Sequence, residues 1–284
     1  GIPNFKLSKD VFFARLKDLE DAGIKIVPNT KIGKDKTIDD LFAEGFDAIY
    51  IGVGANVDAT MNVPGEDLPG VMRGTEFLIR ANVDPSLLPP ELASPLKLGK
   101  RLVVVGGGDT ASDCLRAALR LGVEEVICVY RRTEAEMPGS PKDRKLAKEE
   151  GAQYRFLTQP VRFIAGDDGT LSAIECIEME LGEPDEKGRR RPVPKEGTNF
   201  IIETNIAVLA LGYWPDPILG KTTPGLKTDK WGLIITDPET CATSREGVFA
   251  GGDAVSGPDL VVTAMVAGRK AARSIQEYLC KKGA

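Results

Sequence analysis

Residues 101–113, RLVVVGGGDTASD, decide how the rest of the chain is read. Leu102 to Val105 is a short apolar, β-branched run, the pattern of a strand buried on both faces. Three glycines break it, and the chain resumes at Asp109 with helical spacing through Ala117, Ala118 and Leu121. Strand, glycine turn and helix together turn a glycine pattern into a dinucleotide fingerprint. Gly106, Gly108 and Ala111 stand at the three positions of G-x-G-x-x-G/A. Gly106 permits the tight turn, Gly108 lets the backbone approach a pyrophosphate, and Ala111 keeps helix and strand close. Free amides at the helix start then face the phosphates. An ordinary βα turn can carry the same glycines, so the next strand has to discriminate.

That strand lies in EVICVYRR, Glu125 to Arg132, with Val126 to Tyr130 as its body. Its end falls where such folds place the residue that reads the adenosine ribose. An acidic residue there would bind a free 2′-hydroxyl; this chain offers Tyr130, Arg131 and Arg132. A guanidinium pair suits a 2′-phosphate through its charge and its fork of donors. NADPH is therefore expected in preference to NADH, the alternative being a solvated basic strand end.

The 284 residues suffice for two medium domains, and 42% hydrophobic with 28% charged residues is ordinary for a globular chain. A net charge of −5 argues against nucleic acid or an anionic membrane as partner. No apolar run approaches the ~18 residues that span a bilayer. Cysteines 114, 128, 176, 241 and 280 form no C-x-x-C, so no redox dithiol or iron–sulfur ligand set is visible, and reduced thiols in a cytoplasmic protein are expected. Histidine is absent, which excludes Ser–His and Cys–His chemistry and histidine metal sites. Hydride transfer between two bound cofactors fits a chain with so few proton carriers.

Upstream, a helix is expected from Ser8 to Gly23, a strand over Ile24 to Val27, and a capping box at Thr37 and Asp40. Phe46 to Ile51 reads as a buried strand running into Gly52-Val53-Gly54-Ala55, where a ligand or a packed neighbour accounts equally for the small residues. Residues 82–99, rich in proline, read as a connection. Downstream come a helix over 142–150 and a third strand over 154–157. Val161 to Ala165, Leu171 to Leu181 and Asn199 to Ile202 then form a β-meander in place of a third crossover helix. Arg189 to Arg191 is expected at a solvated hairpin tip, a second phosphate contact being the alternative. Ile206 to Leu211 returns as a parallel strand ending at Gly212. Gly247 to Asp253, GVFAGGD, is a strand delivering one carboxylate, followed by a helix from about Leu260. Asp253 could accept a hydrogen bond from a ribityl hydroxyl while the helix start faces an electron-rich ring; a glycine turn with a surface aspartate is the plain alternative.

Together these stretches resemble the flavoproteins with two dinucleotide-binding domains, especially the small, NADPH-oxidising subunit of glutamate synthase and its relatives. The resemblance rests on GIPNFKL at 1–7, IGVGA at 51–55, PGEDLPG at 64–70, GGGDTASDC at 106–114, VYRR with Met137-Pro138-Gly139, and GGDAVSGPDLVVTAMVAGRKAA at 251–272. It implies an α/β fold: a Rossmann-like parallel sheet with a β-meander insertion for NADPH, plus a partial FAD-binding domain of the same type. The implied boundaries are 1–95 and 213–284 for FAD and 96–212 for NADPH. The family's N-terminal iron–sulfur and first FAD segments have no counterpart here, so those clusters are expected in that segment or a partner subunit. Carried over by position, Gly106, Gly108, Asp109 and Thr110 would hold the NADPH pyrophosphate and Arg131 with Arg132 the 2′-phosphate. Gly252 and Asp253 would meet the FAD ribityl and phosphate region, Thr263 and Ala264 the flavin pyrimidine, and Gly52, Gly54 and Gly212 the cofactor crossings. The implied reaction passes hydride from NADPH to FAD, with electrons moving on to iron–sulfur centres. A disulfide reductase is disfavoured because no C-x-x-C follows the second glycine motif. The competing class is a non-catalytic NADP(H)-binding or assembly module.

Overall fold

The structure, a computed structural model, describes residues 1–184 and 190–283. In chain order the helices are Lys9–Asp21 (α1), Ile38–Ala43 (α2), Gly74–Asn82 (α3), Asp109–Arg120 (α4), Pro141–Glu149 (α5), Ile218–Thr222 (α6), Asp253–Ser256 (α7) and Val261–Lys282 (α8). The strands are Ile49–Ile51 (β1), Val57–Asp58 (β2), Val71–Arg73 (β3), Arg101–Val105 (β4), Glu125–Val129 (β5), Gln153–Arg155 (β6) and Thr158–Ala165 (β7). They continue as Leu171–Pro184 (β8), Arg190–Pro194 (β9), Phe200–Glu203 (β10), Ile206–Leu209 (β11), Tyr213–Trp214 (β12) and Val248–Ala250 (β13). Two compact units result: Gly1–Leu19 with Asp58–Gly212, and Glu20–Val57 with Tyr213–Ala284.

The first unit is built on a parallel sheet ordered β3-β11-β4-β5-β6. Successive side chains of a strand face opposite ways, and β4 buries both faces. Leu102 and Val104 share a core with Ala111, Cys114, Leu115 and Ala118 of α4. Val103 and Val105 share the other with Phe163, Ile174 and Ile202 of the meander. The Rossmann-like α/β arrangement with a meander insertion is thus borne out, and the antiparallel strands β10-β8-β7, with β9 on β8, replace helices as the cover of one sheet face. The unit also takes in residues upstream of 96. Phe77 and Leu78 of α3 are buried in the α4 core, and β3 pairs with β11 at the sheet edge.

Two sequence expectations are corrected. Ile24 to Val27 forms no strand, and Ile24, Ile26 and Val27 are exposed. A strand needs a neighbour for its backbone groups, and among the described residues none pairs with this run. The hairpin tip around Gly188 to Arg191 is in part a strand, because Arg190–Pro194 pairs with β8; Gly188 and Arg189 lie outside the described residues.

The N-terminal segment is fastened to α4 and α5. Lys6 Nζ lies 2.6 Å from Asp113 and 3.0 Å from Asp143. The Phe5 ring sits under the guanidinium groups of Arg116 and Arg120 at 4.3 and 4.6 Å, a cation–π contact on each. Burial raises the Asp113 carboxyl above its ordinary 3.8 despite the attraction of Lys6. A carboxyl raised in this way holds its proton more tightly folded than unfolded, so its contribution to stability is present below the unfolded value and fades as pH rises through the folded one. Asp113→Asn should therefore gain on the wild type in denaturant-derived stability from about pH 4 toward neutrality. A stability difference that does not vary with pH would show that Asp113 is not so raised.

The second unit pairs β1 with β13 in parallel, in register Ile49↔Val248 to Ile51↔Ala250. Ile38, Ile51, Leu219, Val248 and Ala254 form its main core, and Ala271 of α8 is buried with Phe249 and Cys241. The Thr37–Asp40 capping box opens α2 as expected, each side chain bonding the other's backbone amide.

Candidate nucleotide-binding site

The three glycines after β4 play three different parts. Gly106 has φ +143, and a Cβ there would fall 2.1 Å from the Ala210 carbonyl oxygen, so only glycine fits. At Gly107 a Cβ would come within 2.5 Å of the Tyr130 ring. Gly108, the N-cap of α4, has ordinary φ −87, and a Cβ there would meet nothing within 4 Å. The first two glycines answer to the protein's own packing; the space over Gly108 lies at the amide end of a twelve-residue helix.

That turn opens on a cavity of about 420 Å³ whose walls include Gly106, Gly108, Thr110, Arg131, Arg132 and Gly212. Six of the residues singled out by sequence therefore meet at one place. Gly212, at φ +100, accepts a hydrogen bond from the Ala59 amide at 2.9 Å. The basic corner is pinned by the meander: Leu157 N–H donates to the Arg132 carbonyl at 3.0 Å and Thr158 N–H to that of Tyr130 at 3.1 Å. Arg132 is buried, and its Nε donates to the Arg190 carbonyl at 3.0 Å.

Asp109 stands apart from this group. Its carboxylate accepts from the Ser140 amide at 2.7 Å, facing the loop before α5, so what it offers the cavity is its place at the helix start. The same loop supplies a residue the sequence reading left without a role. Gly139 N–H donates to the Gly107 carbonyl at 3.1 Å, and a Cβ on Gly139 would lie 2.8 Å from the Gly108 carbonyl carbon. Met137-Pro138-Gly139 thus buttresses the glycine turn from outside. The Pro-Gly pair signals a loop, but its docking partner is some thirty residues distant and invisible to local pattern.

The remaining sequence-predicted residues belong to the second unit. A cavity of about 530 Å³ there has Gly252 and Thr263 among its walls. Gly252, at φ +68, lies close under Ala264, where a Cβ would touch that side chain at 3.3 Å. Asp253 is the first residue of α7, three residues past the end of β13, and burial pushes its carboxyl up. Gly52 and Gly54 leave the carboxyl end of β1, where Gly251 N–H donates to the Ile51 carbonyl at 3.2 Å. Glycines gathered beyond parallel strand ends are the usual setting for a nucleotide in α/β sheets. Among the described residues no group of three or more Cys, Asp or Glu could hold a metal ion.

Residues 13–268 match the pyridine nucleotide-disulphide oxidoreductase family. The chain belongs to that family. It is 41% identical to the NADP(+)-dependent formate dehydrogenase subunit beta of Moorella thermoacetica, over 98% of this chain and 38% of that protein. It is 40% identical to the NADPH glutamate synthase small chain of Halomonas elongata, over 98% of this chain and 59% of that one. The chain thus spans less than two thirds of the length of either relative. A solved structure of Mycobacterium tuberculosis FprA in complex with NADPH shares the fold, with a TM-score of 0.76 at 22% identity, covering 100% of this chain and 74% of that one.

Disulphide chemistry, named in the family description, finds no dithiol here. Cys114, Cys128, Cys176 and Cys241 are buried and Cys280 is exposed. Burial pushes the thiols of Cys128 and Cys176 up to about 12, which starves them of thiolate. An aromatic disulfide reagent should therefore titrate one thiol rapidly in the native protein and all five after denaturation. Rapid reaction of a second thiol would contradict the burial.

Proposed function

We propose that this chain is the nucleotide-handling part of an NADPH-dependent flavin oxidoreductase that passes electrons to iron–sulfur centres in a partner subunit or a further segment. The observation that carries this reading is the unfilled space over Gly108, between the start of α4 and the Arg131–Arg132 corner. A pyrophosphate there would be met by helix amides and a positive dipole end, and a 2′-phosphate by guanidinium groups. Gly106, Thr110 and Gly212 would line the path between them. FAD would be held in the second unit, with Gly252 and Asp253 at its ribityl end, Thr263 and Ala264 toward the flavin, and Gly52 and Gly54 at the crossing. When both groups are bound, NADPH supplies a hydride and FAD accepts it and releases electrons one at a time. The chain's own residues need then only bind, orient and exclude water, which suits a sequence without histidine.

The relatives named a small chain and a subunit beta support the expectation of a partner. No helix among the described residues is long and apolar enough to cross a membrane, and dispersed reduced thiols support a cytoplasmic setting.

The test is an absorbance spectrum of the purified chain supplied with FAD, then with NADPH under exclusion of oxygen. Flavin bands that bleach on NADPH addition are expected. NADPH binding without flavin would leave the chain as an NADP(H)-binding or assembly module, and failure to bind NADPH by calorimetry would remove the reading altogether.

A further inference from the structure

We propose that Arg191, on strand β9 of the meander, is a third cation of the 2′-phosphate site, across a cavity of about 350 Å³ from Arg131 and Arg132. The proposal deepens the NADPH reading above and rests on it. This cavity shares Arg131, Arg132 and Gln159 with the one over the glycine turn, so one continuous wall runs from α4 to the hairpin. Among the described residues no carboxylate lines it; Met179, Pro192 and Pro194 are also in its wall.

The hairpin is held at the corner by backbone. β9 pairs with β8 in register Met179↔Pro194 to Leu181↔Pro192, and the Arg190 carbonyl accepts from buried Arg132. Arg191 is carried by that same strand. Most arginines of this unit answer a carboxylate: Arg101 meets Glu125, Arg116 and Arg120 meet Glu150, Arg144 meets Glu134 and Arg162 meets Glu175. Arg191 has no ion pair among the described residues, although it borders a cavity that two more guanidinium-bearing residues border. An anion entering this hollow would meet Arg191 together with Arg131 and Arg132. A phosphomonoester carries about −1.5 to −2 charges near neutrality and three acceptor oxygens, enough to engage three cations at once. The meander would then be part of the cofactor-discriminating wall as well as a cover for the sheet. This is the alternative that a basic tip at 189–191 leaves open in sequence, with strand β9 carrying Arg191 to the edge of that cavity.

The experiment uses the full chain with Arg191→Ala and Arg191→Lys, titrated by calorimetry with NADPH, NADH and adenosine 2′,5′-bisphosphate. Arg191 is exposed, so the variants should keep the wild-type unfolding midpoint. Arg191→Ala should weaken NADPH and the bisphosphate about tenfold or more, the usual scale of one charge-assisted contact, with NADH unchanged. Lysine should restore part of the loss, since it keeps the charge and lacks the fork, and the difference from wild type should shrink in high salt. Unchanged NADPH affinity in Arg191→Ala, with Arg131→Ala still impaired, would overturn the proposal and leave the NADPH reading standing. Equal loss for NADPH and NADH would also overturn it, by showing a structural role. A wild-type chain that binds neither nucleotide would remove the NADPH reading itself, and the proposal with it.

Discussion

Gly106→Ala is expected to lower the thermal midpoint by about 10 °C and to abolish nucleotide binding. The backbone there sits at φ +143, and the added methyl would lie 2.1 Å from the Ala210 carbonyl oxygen. That oxygen has little room to retreat, because the Ala210 amide is itself bonded to the Val105 carbonyl at 2.9 Å. Backbone strain of about 1–3 kcal/mol adds to overpacking of about 1–3 kcal/mol. Their sum, about 4 kcal/mol, converts to that shift at roughly 2–4 °C per kcal/mol for a unit of this size. Gly108→Ala is the informative contrast. Its φ is ordinary and its Cβ is free, so the fold should lose no more than about 1 kcal/mol. The methyl would nonetheless occupy the approach to the helix amides, and NADPH affinity should drop about 100-fold, roughly two lost contacts. Calorimetry and thermal unfolding on the same two proteins separate the cases. A Gly108→Ala chain binding like wild type would sink the phosphate cradle.

The double variant Arg131→Ala, Arg132→Ala should bind NADPH at least about 100-fold more weakly, two charge-assisted contacts of about 1.5–3 kcal/mol each. NADH should change far less, and the discrimination ratio is what to measure. The structure refines the design. Arg132 is buried and anchors the Arg190 carbonyl, so its loss also loosens the hairpin, whereas replacing exposed Arg131 alone leaves that anchor in place. Similar losses for both cofactors would contradict the 2′-phosphate assignment.

Much of the candidate site can be read locally. The run Leu102 to Val105, the glycines and the amphipathic stretch after Asp109 define a βα unit through properties that neighbours in sequence share. Thr37 and Asp40 specify their capping box in the same way, three residues apart. Asp109 shows where such reading stops. At a helix start its carboxylate is placed beside phosphate by motif, yet the structure turns it to the Ser140 amide, 31 residues away. Ile24 to Val27 has the composition of a strand without a strand partner among the described residues. β3, only three residues long, has too little pattern to be noticed and joins the main sheet all the same.

The sequence by itself determined the strand–glycine–helix unit, the arginine pair one strand further on, the meander and the absence of histidine chemistry. These depend on backbone dihedral preference, on side-chain period and on residue type, which act within a few positions. The tertiary structure alone decided that α4 covers one face of β4 and the meander the other, and that Gly139 lies against the glycine turn. It also decided that Lys6 reaches Asp113 and that the hairpin brings Arg191 to the Arg131–Arg132 corner. Such pairings join residues tens of positions apart, chosen by which buried surfaces and backbone groups satisfy one another once the sheet has formed.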